Sequence, residues 1–164
     1  MIKMISNVVV KRLPLRKPGE IYSLVEVDGV CCNEKLKGGY LEAAFSYNDD
    51  YILLFLSQNG DAWEEILSIY LLDLKRNKFV DRARIGGGYS SWFAGNGIDD
   101  IKILSDNTIS FEFMSFKDSD GWLLELFNKP IKTFPFALRY LPYISRPISS
   151  KRYFLIKKNK ISLN

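Results

Sequence analysis

Four carboxylate pairs are the residues of this chain most able to do chemistry: Asp49/Asp50, Glu64/Glu65, Asp99/Asp100 and Asp118/Asp120. Two carboxylates about 5–10 Å apart across a sugar-sized cleft would hydrolyse a glycosidic bond. Acid pairs in turns have a plainer use, because Asp and Asn side chains bond the local backbone and tolerate left-handed conformations. The second use is the better account here. Asp118-Ser119-Asp120-Gly121 matches the middle of a calcium loop, but that loop would need an acid at Phe116 and a glutamate at Phe127. It reads as a turn.

The chain contains no histidine. That removes Ser-His-Asp and Cys-His catalysis, imidazole zinc motifs and the usual general base near neutral pH. Its two cysteines, Cys31 and Cys32, are adjacent. Neighbours on a strand point to opposite faces, so they do not form an ordinary structural disulfide. Gly86-Gly87-Gly88 and Gly95-Asn96-Gly97 have no following Gly-Lys-Ser/Thr and do not complete a dinucleotide fingerprint. They read as a flexible loop around Trp92 and Phe93. Those aromatics either fold back on the core or serve as recognition anchors. No enzyme activity, metal or cofactor is expected.

The elements that must position these residues read as β-strands. Over 164 residues with 47% apolar composition we expect one mainly β domain with little helix. The expected architecture is an antiparallel meander, either propeller-blade-like or a β-sandwich or partly open barrel. Strands are expected over 5–13, 20–28, from Val30, 41–47, 51–57, 79–85, 98–104, 108–116 and 122–127. Residues 35–39 read as a polar loop, and 149–157 as a basic edge strand. The run 61–76 is ambiguous: Asp61 with Glu64 resembles a capping box, while Ile66–Leu74 reads as a strand in its β context. Phe111, Phe113 and Ile109 should share one face of their strand. Prolines 130, 135, 142 and 147 point to extended chain over the sheet. Residues 46–57 and 104–115 are similar: each is an Asx-rich turn feeding an apolar strand that ends on Ser.

Charge divides the chain into three sections. Residues 1–39 hold seven basic and four acidic residues, a net +3. The meander, 40–128, holds seven and fifteen, a net −8. Residues 129–164 hold nine basic residues and no acid, a net +9. The basic end with its interleaved aromatics could suit single-stranded nucleic acid, and a β-barrel or sandwich cavity could take a small apolar ligand. The acidic middle favours a third role, docking a basic protein. Its expected contact set is Asp49, Asp50, Asp61, Trp63, Glu64, Glu65, Trp92, Phe93, Asp99, Asp100, Asp118, Asp120 and Trp122, with the acids steering and the aromatics anchoring. No apolar run reaches the 18 residues of a membrane span and no secretory signal opens the chain, so a cytoplasmic protein is expected.

In small size, lack of a catalytic set, Asn/Lys/Ile-rich composition and acidic loops on a β-meander, the chain resembles an immunity protein of a bacterial toxin–immunity pair of the contact-dependent growth inhibition type. Residues 69–80, Ile-Tyr-Leu-Leu-Asp-Leu-Lys-Arg-Asn-Lys-Phe-Val, are also similar to the hairpin of a β-propeller blade. The immunity resemblance implies a cognate toxin, with a basic nuclease domain as the natural partner. It also implies inhibition by covering the toxin's active site or substrate groove.

Overall fold

Apolar residues that alternate with a period of two bury one face of a strand, and a continuous apolar run buries both. Both patterns are present, and together they make a stack of three antiparallel sheets. The computed structural model describes residues 1–14, 21–58, 66–86, 98–113, 121–133 and 144–159. The strands are β1 (Ile2–Met4), β2 (Val8–Arg12), β3 (Tyr22–Val27), β4 (Val30–Lys37), β5 (Tyr40–Tyr47), β6 (Tyr51–Ser57) and β7 (Ile66–Asp73). They continue with β8 (Lys78–Gly86), β9 (Asp99–Ser105), β10 (Thr108–Glu112), β11 (Trp122–Lys132), β12 (Ile144–Ser145) and β13 (Lys151–Lys158). Among the described residues there is no helix, and none of the sheets closes into a barrel.

The central sheet has the order β1-β5-β6-β7-β8-β12. A four-stranded sheet, β13-β11-β10-β9, covers one of its faces, and a three-stranded sheet, β2-β3-β4, covers the other. This layering explains β6 and β7. Leu53, Phe55, Leu67, Ile69 and Leu71 enter the core shared with the four-stranded sheet. Ile52, Leu54, Leu56, Tyr70 and Leu72 enter the core shared with the three-stranded sheet. Every residue of β7 is buried, so its helix-like spacing is a by-product of two buried faces, and the strand expected over Ile66–Leu74 forms. Asp61, Glu64 and their neighbours lie outside the described residues.

The two similar segments fold into hairpins of different sheets. β5–β6 belongs to the central sheet and β9–β10 to the four-stranded one, and they meet across the core where Phe55 and Phe111 pack edge to face at 5.2 Å. Ile109, Phe111 and Phe113 share the buried face, as expected. Asn48 and Asp49 adopt positive φ of 51° and 55° in the β5–β6 turn, the left-handed geometry that Asx residues tolerate. Cys31 is exposed and Cys32 buried, and both are free thiols. Burial raises the pKa of the Cys32 thiol.

Four local readings are corrected. The strand expected over 5–13 runs only from Val8 to Arg12 as β2, in the three-stranded sheet, and a separate strand, β1, precedes it in the central sheet. Residues 35–37 are not a loop but the end of β4, paired with β3 through Lys37↔Tyr22. The strand expected over 108–116 ends at Glu112. β11 continues past Asn128 through Pro130 to Lys132, and a register shift between Leu126 and Ile131 accommodates the proline. The basic final strand, β13, does lie at a sheet edge.

Candidate functional site

Eight residues of the expected contact set, Asp61, Trp63, Glu64, Glu65, Trp92, Phe93, Asp118 and Asp120, lie outside the described residues. The other five are not brought together. Asn48, in the β5–β6 turn with Asp49 and Asp50, hydrogen-bonds Asn128 through its amide, as does the Tyr47 hydroxyl. Asn128 follows Leu126, whose N–H donates to the Asn107 carbonyl in the β9–β10 turn. Asp49 and Asp50 therefore share one end of the sandwich with residues 105–107. Asp99 pairs with Glu112 at the opposite end of β9. Asp99 and Asp100 are thus about 20 Å away, the length of a seven-residue strand at ~3.3 Å per residue. Trp122 is 5% exposed, and its indole N–H donates to the Phe113 carbonyl at 2.9 Å. It packs the core and offers no anchor to a partner.

Some acids of the middle section are answered by bases within the fold. Sheet pairing lays the basic end over part of that section. Asp81 on β8 is the centre of this neutralisation, with 1% of its side chain exposed. Its Oδ1 lies 2.8 Å from Arg146 Nη2 and 3.6 Å from Arg152 Nη1. Its Oδ2 accepts the backbone N–H groups of Tyr153 (2.7 Å) and Phe154 (3.3 Å) on β13. One carboxylate thereby ties the central sheet to the four-stranded sheet. Arg146 also donates to the Phe154 carbonyl at 2.9 Å and stacks over the Phe154 ring at 4.4 Å. Desolvation lowers the pKa of its guanidinium, and the charge of Asp81 opposes that shift. On the surface, Lys157 pairs with Glu125 at 3.3 Å, Lys75 with Asp50 at 2.7 Å and Lys102 with Asp100 at 2.5 Å.

Among the described residues, two features could receive another molecule. The first is β9, at the outer edge of the four-stranded sheet, with β10 as its strand partner on one side. Six of its seven residues are exposed, including Ile103 (43%) and Leu104 (56%). Asp99 and Glu112 face one another across the ladder, with Asp100 adjacent.

The second is a cleft of about 380 Å³ at the other side of the molecule, between the three-stranded sheet and β8. Its charged lining is Lys35 and Lys37 from β4, Arg82 and Arg84 from β8, and Arg146, with no carboxylate among the lining residues. The Tyr70 hydroxyl fastens the wall by donating to the Lys37 carbonyl at 2.9 Å and accepting from the Lys37 N–H at 3.0 Å. Sequence reasoning missed the cleft because it placed Lys35 and Lys37 in a loop. The available signal was spacing: Lys35/Lys37 and Arg82/Arg84 each repeat at the strand period of two.

Among the described residues, no group of three or more Cys, Asp or Glu side chains could hold a metal ion, and no helix is long and apolar enough to cross a membrane. Comparison with family models, characterised proteins and solved structures finds no match for this chain.

Proposed function

We propose that the protein is a partner-binding inhibitor of the immunity-protein kind, which neutralises a cognate toxin by occluding its active site or substrate groove. The exposed edge of β9 carries this reading. An unpaired strand edge offers a row of backbone donors and acceptors to an incoming extended segment, and proteins usually blunt such edges with charge, proline or cover. Here the edge keeps Ile103 and Leu104 in solvent, and its charged residues, Asp99, Asp100 and Lys102, gather toward the other end of the strand.

The acids give the partner its chemistry. Like charges placed opposite each other in a sheet are destabilising, and Asp99 and Glu112 occupy such positions. A lysine or arginine from an added strand would relieve that repulsion and favour a basic toxin domain, such as a nuclease, over a neutral one. Ile103 and Leu104 would supply the desolvated contacts and the acids the orientation. The acidic turn at Asp49 and Asp50, a strand's length away, plays no part in this contact.

Co-purification with the product of the adjacent reading frame tests the reading. The wild-type chain should retain that product and suppress its toxicity. The double substitution Ile103→Lys/Leu104→Lys should weaken the complex by about thirtyfold or more, the size of a lost hot spot of about 2 kcal/mol. Both residues are exposed, so the melting temperature should hold. Failure of any neighbouring product to bind defeats the inhibitor reading, and undiminished binding by the double variant defeats the β9 edge.

A further inference from the structure

We propose that the basic cleft between the three-stranded sheet and β8 is a binding site for a small molecule bearing a phosphate group, held by Lys35 and Arg84. This goes beyond the docking edge, since β9 and the cleft lie on opposite sides of the molecule.

Charge is the first ground. Five cations converge on the cleft and no carboxylate lines it. Two of the five have a carboxylate partner just outside: Arg82 pairs with Glu34, and Arg146 with Asp81. Among the described residues no carboxylate forms an ion pair with Lys35 or Arg84. Crowded like charges cost stability unless something answers them. Two unanswered charges match a phosphate monoester, which carries about −2 at neutral pH, better than a single carboxylate.

Geometry is the second ground. Arg84 lines the cleft with a side chain that is partly exposed. The planar fork of its guanidinium matches the oxygens of a phosphate. The cleft is also built rather than incidental. Arg84 stands on β8, which is paired with β7 on one side and β12 on the other. Lys35 and Lys37 stand on β4, fastened to β7 through the Tyr70 hydroxyl. At about 380 Å³ the space falls in the range of small-molecule sites and exceeds what a bare phosphate needs. The Tyr22 ring, with Lys37 Nζ 5.5 Å from its centroid, offers a flat wall for the rest of the ligand.

Isothermal titration calorimetry with inorganic phosphate and pyrophosphate on the full chain, at low salt, tests the site. Wild type should bind pyrophosphate more tightly than phosphate, and both should raise its melting temperature. Lys35→Gln and Arg84→Gln should each weaken pyrophosphate about tenfold, and the double variant about a hundredfold, as expected for loss of charge-assisted bonds. Lys3→Gln, at an exposed position on β1, should leave binding unchanged. Lys35 is exposed, so its variant reports on binding even if Arg84→Gln fails to fold. The proposal is overturned if wild type binds neither anion at millimolar concentration. It is equally overturned if Lys35→Gln binds pyrophosphate as wild type does. Binding of a single-stranded oligonucleotide without binding of either small anion also overturns it, and transfers the cleft to nucleic acid.

Discussion

Asp81 and Asp100 belong to the same acidic stretch of sequence and both contact basic side chains, yet they do opposite work. Asp81 is closed between two sheets, where Arg146, Arg152 and two backbone N–H groups share its oxygens. Asp100 is half exposed on an edge strand, where Lys102 is its ion-pair partner. The interior carboxylate is committed to structure, because removing either sign of charge strands the other away from water. The edge carboxylate is cheap to disturb and remains open to a partner. Charge in this protein is committed to structure or left accessible according to burial, and the sequence alone shows no difference between the two.

The largest expected effect lies on the buried side of that contrast. Asp81→Ala should lower the free energy of unfolding in urea by about 3–5 kcal/mol, since it leaves two largely buried guanidinium groups without their counter-ion. A loss below about 1 kcal/mol would mean that the cluster is no more structural than a surface pair. Trp122 sharpens the boundary between interior and edge. Trp122→Phe removes the bond to the Phe113 carbonyl and should cost about 1–2 kcal/mol while leaving partner affinity unchanged. Lost affinity with intact stability would return Trp122 to the contact surface. The smallest effect on stability belongs to Asp100→Asn, within about 0.5 kcal/mol of wild type. The same change should slow association with a basic partner at low salt, read by stopped-flow mixing, and the difference should fade as salt rises.

Much of the fold was legible because strands announce themselves locally. The apolar run of β6, the alternation of β10 and the Asx turn at 48–50 each follow from a few neighbouring residues. Ile66–Asp73 was harder, since two buried faces erase the period of two and imitate helical spacing. β1, ahead of the expected first strand, was hidden for a different reason: β1 and β2 find partners in different sheets, a choice made by β5 and β3 and not by the segment itself.

The candidate sites were less legible. Exposure of Ile103 and Leu104 depends on β9 being the last strand of its sheet. The cleft depends on β4 and β8 being drawn together from positions 35 and 84.

By itself the amino-acid order determined the strand content, the turn chemistry and the absence of imidazole, all of which are properties of residues or their near neighbours. Only the folded chain decided which acids are spent on Arg146 and Arg152, which stand at an edge, and where the lysines and arginines collect. The reason is physical: electrostatic effect depends on distance and burial, and sheet pairing sets both between residues that are far apart along the chain.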